Sequence, residues 1–167
     1  VEKYIGYFMD AFILKEARRF DLKGRAEIGA LRKYYFTDTG LRNARLNFAF
    51  PDEGQMLENI VYNELIYNGY TVNVGTFDSI QKNGQGESIR TSSEVDFFAR
   101  KENRQYYIQV TADISNAKAR TRELRPYLML NDQIQKIVVV NKPINESLDD
   151  NGFTVIGVSD FLLRFIV

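Results

Sequence analysis

Four residues in the middle of the chain, Glu58, Asp96, Gln109 and Thr111, have types and spacing that could do chemistry. Asp96 lies in SEVDFFARKENRQYYIQVT, residues 93–111, which reads as two β-strands joined by a short charged turn at KEN. Side chains alternate along a strand, so Glu94, Asp96 and Phe98 are expected on one face. Tyr107, Gln109 and Thr111 are expected to share a face of the next strand. If the turn pairs the strands, Asp96 and Gln109 come close. Glu58 is expected in the first turn of the helix before the sheet. Acidic and polar groups meeting at a sheet end near a helix terminus can support metal-assisted phosphodiester chemistry, because Mg2+ asks for an octahedron of oxygens, ideally anionic. A lysine nearby would stabilise the charge that builds on the phosphoryl group. Each acid also has a plain reading. A lone strand aspartate beside another acid is more often a solvated group, and Glu58 near a helix N-terminus would stabilise the dipole by about 0.3–1 kcal/mol without any catalytic role.

Composition narrows the chemistry further. The 167 residues contain no histidine and no cysteine. Disulfides, the usual zinc ligands and histidine or cysteine catalysis are therefore excluded, leaving carboxylates, Lys, Tyr, Ser and Thr. Lys plus Arg equals Asp plus Glu at 22 each, so no net charge draws the chain to nucleic acid and a local basic patch would have to do so. Apolar residues make up 44%, enough for a substantial core in one domain with a small appendage. No apolar run nears the ~20 residues that span a bilayer and no signal peptide is visible, so a cytoplasmic domain with no membrane contact is expected. The first residues, VEKYIGYFMDAF, already carry a helical pattern, and the chain is expected to be cut from something longer.

The elements that would position these residues can be read in order. After the first helix, AFILKEARRFD and RKYYFTD read as strands around a Gly-containing turn, and together they suggest the tail of a winged-helix module over residues 1–38. Asp38 or Thr39 could cap a short helix through about Ala44. The strongest helix is expected over 52–68, with Leu57, Ile60, Val61, Leu65 and Ile66 as its apolar stripe and Asn68-Gly69 as its end. Strands are expected at about 70–77, 89–100, 105–112 and 134–140, with DSIQKNGQGES as a flexible loop. A second helix over about 116–129 contains Pro126, which should kink or break it near Leu124–Arg125. The IVVV run reads as a strand buried on both faces. FTVIGV forms a last short strand, and Ser159 should cap a closing helix.

The stretches KYYFTDTGLRNARLNF, GQMLENIVYNELIYNGYTVNVG, EVDFFAR, YYIQVT and TRELRPYLML, in that order, resemble a C-terminal domain of unknown function found in bacterial and archaeal AAA-type ATPases. That domain belongs to the PD-(D/E)xK, restriction-endonuclease-like superfamily. The resemblance covers nearly the whole chain. It implies an α/β fold over residues 39–167, a mixed sheet with an α-β-β-β-α-β core flanked by helices, preceded by the end of a winged helix. It also implies an ATPase domain N-terminal to this region as partner. ATP binding would belong there, since no G-x-x-x-x-G-K-[ST] loop occurs here.

The same resemblance assigns roles. An acid in the second core strand and a carboxylate-x-lysine in the third are the superfamily's working parts. Asp96 matches the first, while Gln109 stands at the second acid and Thr111 at the lysine. Glu58 matches an acid that some members carry on the first helix. Glu58 and Asp96 would then be the metal ligands, with Mg2+ as cofactor only if the site works, and with Lys118 or Arg122 as substitutes for the lost cation. With Gln109 and Thr111 in place, a catalytically degenerate module is expected. It would bind DNA, RNA or a protein partner through a basic face made of Lys118, Arg122 and Arg125 at i, i+4 and i+7, with Tyr106 or Tyr127 stacking on bases. An active Mg2+-dependent nuclease and a purely structural or oligomerising domain are the alternatives. A solvated helix face is the plain reading of the basic run.

Overall fold

The computed structural model describes residues 2–48, 52–82, 87–112 and 117–165. Helix α1 (Glu2–Asp10) leads into a hairpin of β1 (Leu14–Asp21) and β2 (Ala26–Phe36). Two helices follow, α2 (Thr39–Arg45) and α3 (Glu53–Tyr67), then three strands, β3 (Thr71–Lys82), β4 (Ser88–Lys101) and β5 (Arg104–Thr111). Helix α4 (Ala117–Leu128) crosses to β6 (Gln135–Val140), and β7 (Ser147–Leu148) and β8 (Thr154–Gly157) complete the strands. Helix α5 (Val158–Asp160) continues as a π-helical turn over Phe161–Phe165.

All eight strands join one mixed sheet in the order β2-β1-β3-β4-β5-β6-β8-β7. Pairing is parallel where a helix or long crossover intervenes, as in β1–β3 and β5–β6, and antiparallel in the hairpins. The chain order α3-β3-β4-β5-α4-β6 is the expected one. The hairpin read as the end of a winged helix forms the sheet's edge, and Ala17 and Tyr35 enter the same core as α3; the boundary expected at 38/39 lies between β2 and α2.

Each face of the sheet carries its own core. On one, Leu57, Val61, Tyr62 and Leu65 of α3 pack over Phe97, Ile108 and Val139, with Phe161 of the closing segment. On the other, Leu124 and Tyr127 of α4 pack over Phe98, Tyr107 and Val138. Ile137–Val140 are completely buried, as a strand covered on both faces must be. The α3 stripe is rotated from the expected one: Asn59 and Tyr62 are buried, while Ile60 and Ile66 are only partly so. Asn59 can be buried because its side-chain amide accepts from Phe36 N at 3.0 Å and donates to Phe36 O at 2.7 Å, completing the edge of β2.

Several local signals behave as read, and others do not. Asp38 caps α2 by accepting from the N–H groups of Gly40 and Leu41, and α3 is capped by Asp52, which had not been singled out, through Gln55 N. Asn68 ends α3, followed by Gly69 at φ 81°. The flexible loop expected from Asp78 is largely strand, since β3 and β4 stay paired out to Lys82 and Ser88; residues 83–86 lie outside the described set. Helix α4 runs through Pro126 to Leu128 with no break at Leu124–Arg125. Gly157, and not Ser159, caps the closing helix. A β-carbon at Gly157 would lie 2.3 Å from the Lys142 carbonyl oxygen, so only glycine lets the two backbones meet there.

Candidate functional site

Asp96 sits where the β4–β5 ladder ends. Strand pairing runs from Lys101↔Arg104 to Phe97↔Ile108 and stops there. Beyond it, Val110 N donates to Asp96 Oδ2 at 2.8 Å, and Gln109 Nε2 donates to the same oxygen at 2.8 Å. The expected approach of Asp96 and Gln109 is thus present. Its local cause is a β-bulge: Asn73 pairs with Phe98 and Gly75 with Val95, so Asp96 and Phe97 together oppose Val74. The bulge also corrects the expected alternation. Phe98 lies in the α4-side core with Val95, while Phe97 lies in the α3-side core.

The cation of this site comes from a place that the motifs did not indicate. Lys33 of β2 reaches in with its ammonium 2.8 Å from Glu94 Oε1, 3.1 Å from Glu58 Oε1 and 4.0 Å from Asp96 Oδ1. Tyr35, two residues along the same strand face, donates to Glu58 Oε1 at 2.6 Å. Arg19 closes the ring from β1 with a guanidinium nitrogen 2.9 Å from Glu94 Oε2. From α4, Glu123 accepts weakly from Gln109 Nε2 at 3.4 Å. Lys33, Tyr35, Arg19 and Glu123 all escaped the motif reading. The signal for Lys33 was its spacing from Tyr35, which puts a charge on a core-facing strand position, where it needs partners. Glu58 is the sixth residue of α3, in its second turn and not its first, so the helix dipole gives it little.

Charge is tightly balanced here. Burial pushes Asp96 up to about 7, and the neighbouring Glu58 pushes the same way, against the Val110 N–H and Lys33. Burial pulls Lys33 down, but Glu58, Glu94 and Asp96 outweigh it and hold the ammonium above its ordinary range. Burial and Glu58 together raise the Tyr35 phenol, so it stays a hydrogen-bond donor.

A pH prediction follows for Asp96. Its value in the fold lies above the ordinary 3.8 of a free aspartate, so the folded chain keeps a proton that the unfolded chain has released between about pH 4 and 7. The stability linked to this proton is complete below about pH 4 and is lost as the pH rises through 7. Asp96→Asn should remove that slope and raise unfolding free energy at pH 8 by about 1–3 kcal/mol. Urea unfolding at pH 5 and pH 8 checks this, and an unchanged slope in the variant would contradict it.

Mg2+ does not suit this donor set as it stands. Asp96 Oδ2 is occupied by two N–H donors, and Glu58 and Glu94 turn toward Lys33. Gln109 Oε1 is buried without a partner, yet it is neutral. Among the described residues, no three acidic side chains form a metal-ligand group.

Thr111 ends β5 in register with Val140 and brings a hydroxyl where an ammonium was sought. Arg125 is exposed on α4, while the side chains of Lys118 and Arg122 lie outside the described set. Tyr127 cannot stack on a base, because it is buried with its hydroxyl 2.8 and 2.7 Å from the Tyr107 and Ile137 carbonyls. Tyr106 is half-buried against Tyr70. No described helix is long and apolar enough to cross a membrane.

No family model matches the chain, and no solved structure matches it. An uncharacterized protein of Methanocaldococcus jannaschii is 30% identical over 166 residues, which cover 96% of this chain and 32% of that protein. An uncharacterized protein of Haemophilus influenzae is 32% identical over 164 residues, covering 98% of this chain and 37% of the relative. The chain is thus similar over nearly its whole length to these two proteins, and it spans about a third of the length of each.

Proposed function

We propose that this chain is a restriction-endonuclease-like domain of a longer AAA-type ATPase, with a degenerate PD-(D/E)xK site, and that it acts by binding nucleic acid. The observation that carries the reading is the position of Lys33. Its ammonium stands among Glu58, Glu94 and Asp96, so the acids that would attract a divalent metal are balanced from within. Gln109 strengthens this by donating to Asp96 where the superfamily pattern has an acid. The mixed sheet with helices on both faces is compatible with that fold. The greater length of the relatives leaves room for the ATPase part.

The binding surface in this reading is the outer face of α4. Gel shifts with duplex and single-stranded DNA over a salt series test it. Arg122→Ala with Arg125→Ala should weaken binding evenly across sequences, because phosphate contacts carry no base information. The salt slope should flatten by about one unit per lost contact. Unchanged affinity and slope would make these arginines a solvated face, and a wild type that binds neither DNA form would favour a protein partner.

A second reading, an active Mg2+-dependent nuclease, draws on the same lysine. Lys33 supplies a cation within 4.0 Å of Asp96 that neither Thr111 nor any neighbour on β5 offers.

A further inference from the structure

Helix α1 is apolar on two sides, and the fold uses one of them. The inward side holds Ile5 and Met9, both half-buried, where the helix packs on β1. No residue of α1 is fully buried. On the other side Tyr4, Phe8 and Ala11 follow at i, i+4 and i+7, with Tyr7 beside them. Ala11 N donates to Tyr7 O at 3.0 Å, so the helical spacing carries through to Ala11. Tyr4, Tyr7 and Phe8 are 69, 53 and 47% exposed, and Phe12, next to exposed Ala11, is 80% exposed.

Two details set this stripe apart from scattered surface apolar residues, which need no explanation. Tyr4 and Tyr7 are already packed edge to face, with ring centroids 6.2 Å apart, and the Lys3 ammonium lies 5.9 Å from the Tyr7 ring centroid. Phe12 holds a backbone φ of 56°, a left-handed conformation that strains a bulky residue, yet its ring gains little burial from it.

We propose that this face binds a second copy of the chain, with the two α1 helices antiparallel about a two-fold axis between Tyr7 and Phe8. The stripe is self-complementary in that arrangement, as an isologous interface must be. Tyr7 falls opposite the partner's Phe8. Tyr4 falls opposite the partner's Ala11, whose small side chain leaves room for the ring. Charge matches as well. Lys3 and Asp10 are exposed seven residues apart, so they lie on one flank of the stripe. Antiparallel packing brings like flanks together and sets Lys3 within about 3 Å, along the helix axis, of the level of the partner's Asp10. At ~200 Å2 for an aromatic side chain, the four rings expose roughly 500 Å2 per copy. Pairing two copies would hide roughly 1,000 Å2, more than most lattice contacts and near the low end of specific interfaces. A weak dimer, with a dissociation constant on the order of 10 µM, is expected of such an area. The surface is independent of the reading proposed for Asp96 and Lys33.

Sedimentation of the whole chain, over about a hundredfold range of concentration around that value, tests it. The mass is expected to rise from 19.4 kDa toward that of a dimer. Phe8→Glu buries a charge at the centre of the stripe and should weaken the dimer at least about 30-fold. Lys3→Glu and, separately, Asp10→Lys should each weaken it by about 3–10-fold, and the two together should restore it. All three residues are exposed, so these variants leave the fold intact. A chain that stays monomeric over the series overturns the proposal and leaves the stripe to a different partner, a neighbouring domain of the longer protein among them. A dimer that Phe8→Glu leaves unchanged overturns it too. A double exchange that restores nothing would overturn the antiparallel arrangement.

Discussion

Lys33→Ala is expected to lower unfolding free energy by about 2–4 kcal/mol at pH 8. The wild-type ammonium serves Glu58 and Glu94 at hydrogen-bond distance and Asp96 at 4.0 Å. These acids are 20, 32 and 13% exposed, so water replaces the lost partner only in part. Removing one member of a buried ion network leaves the opposite charges uncompensated, which costs more than the network itself contributes. The loss should shrink as the pH falls through the range in which Asp96 takes up its proton, because one of the repelling charges then disappears. Urea unfolding of wild type and variant at pH 5 and pH 8 measures both effects. A loss below about 1 kcal/mol at both pH values would place Lys33 with ordinary surface ion pairs and undo the description of the site.

The second large effect concerns catalysis. Phosphodiester cleavage builds negative charge on the phosphoryl group and the leaving oxygen, and fixed cations stabilise it. Gln109 contributes no charge, Thr111 no cation, and Lys33 is already tied to two carboxylates. Losing one pre-organised electrostatic group typically costs about 10²–10³ in rate, so losing the second acid and a free lysine together should cost about 10⁴ or more. That loss should bring cleavage down to background. Gln109→Glu with Thr111→Lys would install on β5 the carboxylate and lysine that the proposed PD-(D/E)xK reading asks for, and any activity that this double variant gains over the wild type measures what the two positions lack.

How much of this was legible depended on the distance over which the determinants act. The pairing of β4 with β5 and the meeting of Asp96 with Gln109 could be read because KEN is a short turn and alternation is local. The IVVV strand was visible because burial on both faces demands an unbroken apolar run. Lys33 was not, since it reaches Asp96 only once β1 pairs in parallel with β3, and no local spacing encodes that pairing. The same pairing hid the membership of the hairpin, which read locally as a wing. The bulge opposite Val74 has no marker in its own residues, so Phe98 was placed on the wrong face. Pro126 misled because the sequence rule takes a proline inside a helix to end it, while the chain continues helical to Leu128.

The most direct test is a cleavage assay on the pure chain, with supercoiled plasmid and labelled single-stranded DNA and RNA in Mg2+ and in Mn2+. Wild type, Asp96→Asn and Lys33→Ala should be run side by side. With Lys33 balancing the acids and Gln109 holding Asp96, wild type and both variants should give the same background rate. Cleavage by the wild type that disappears in both Asp96→Asn and Lys33→Ala would contradict the account and make Lys33 the cation of a working nuclease.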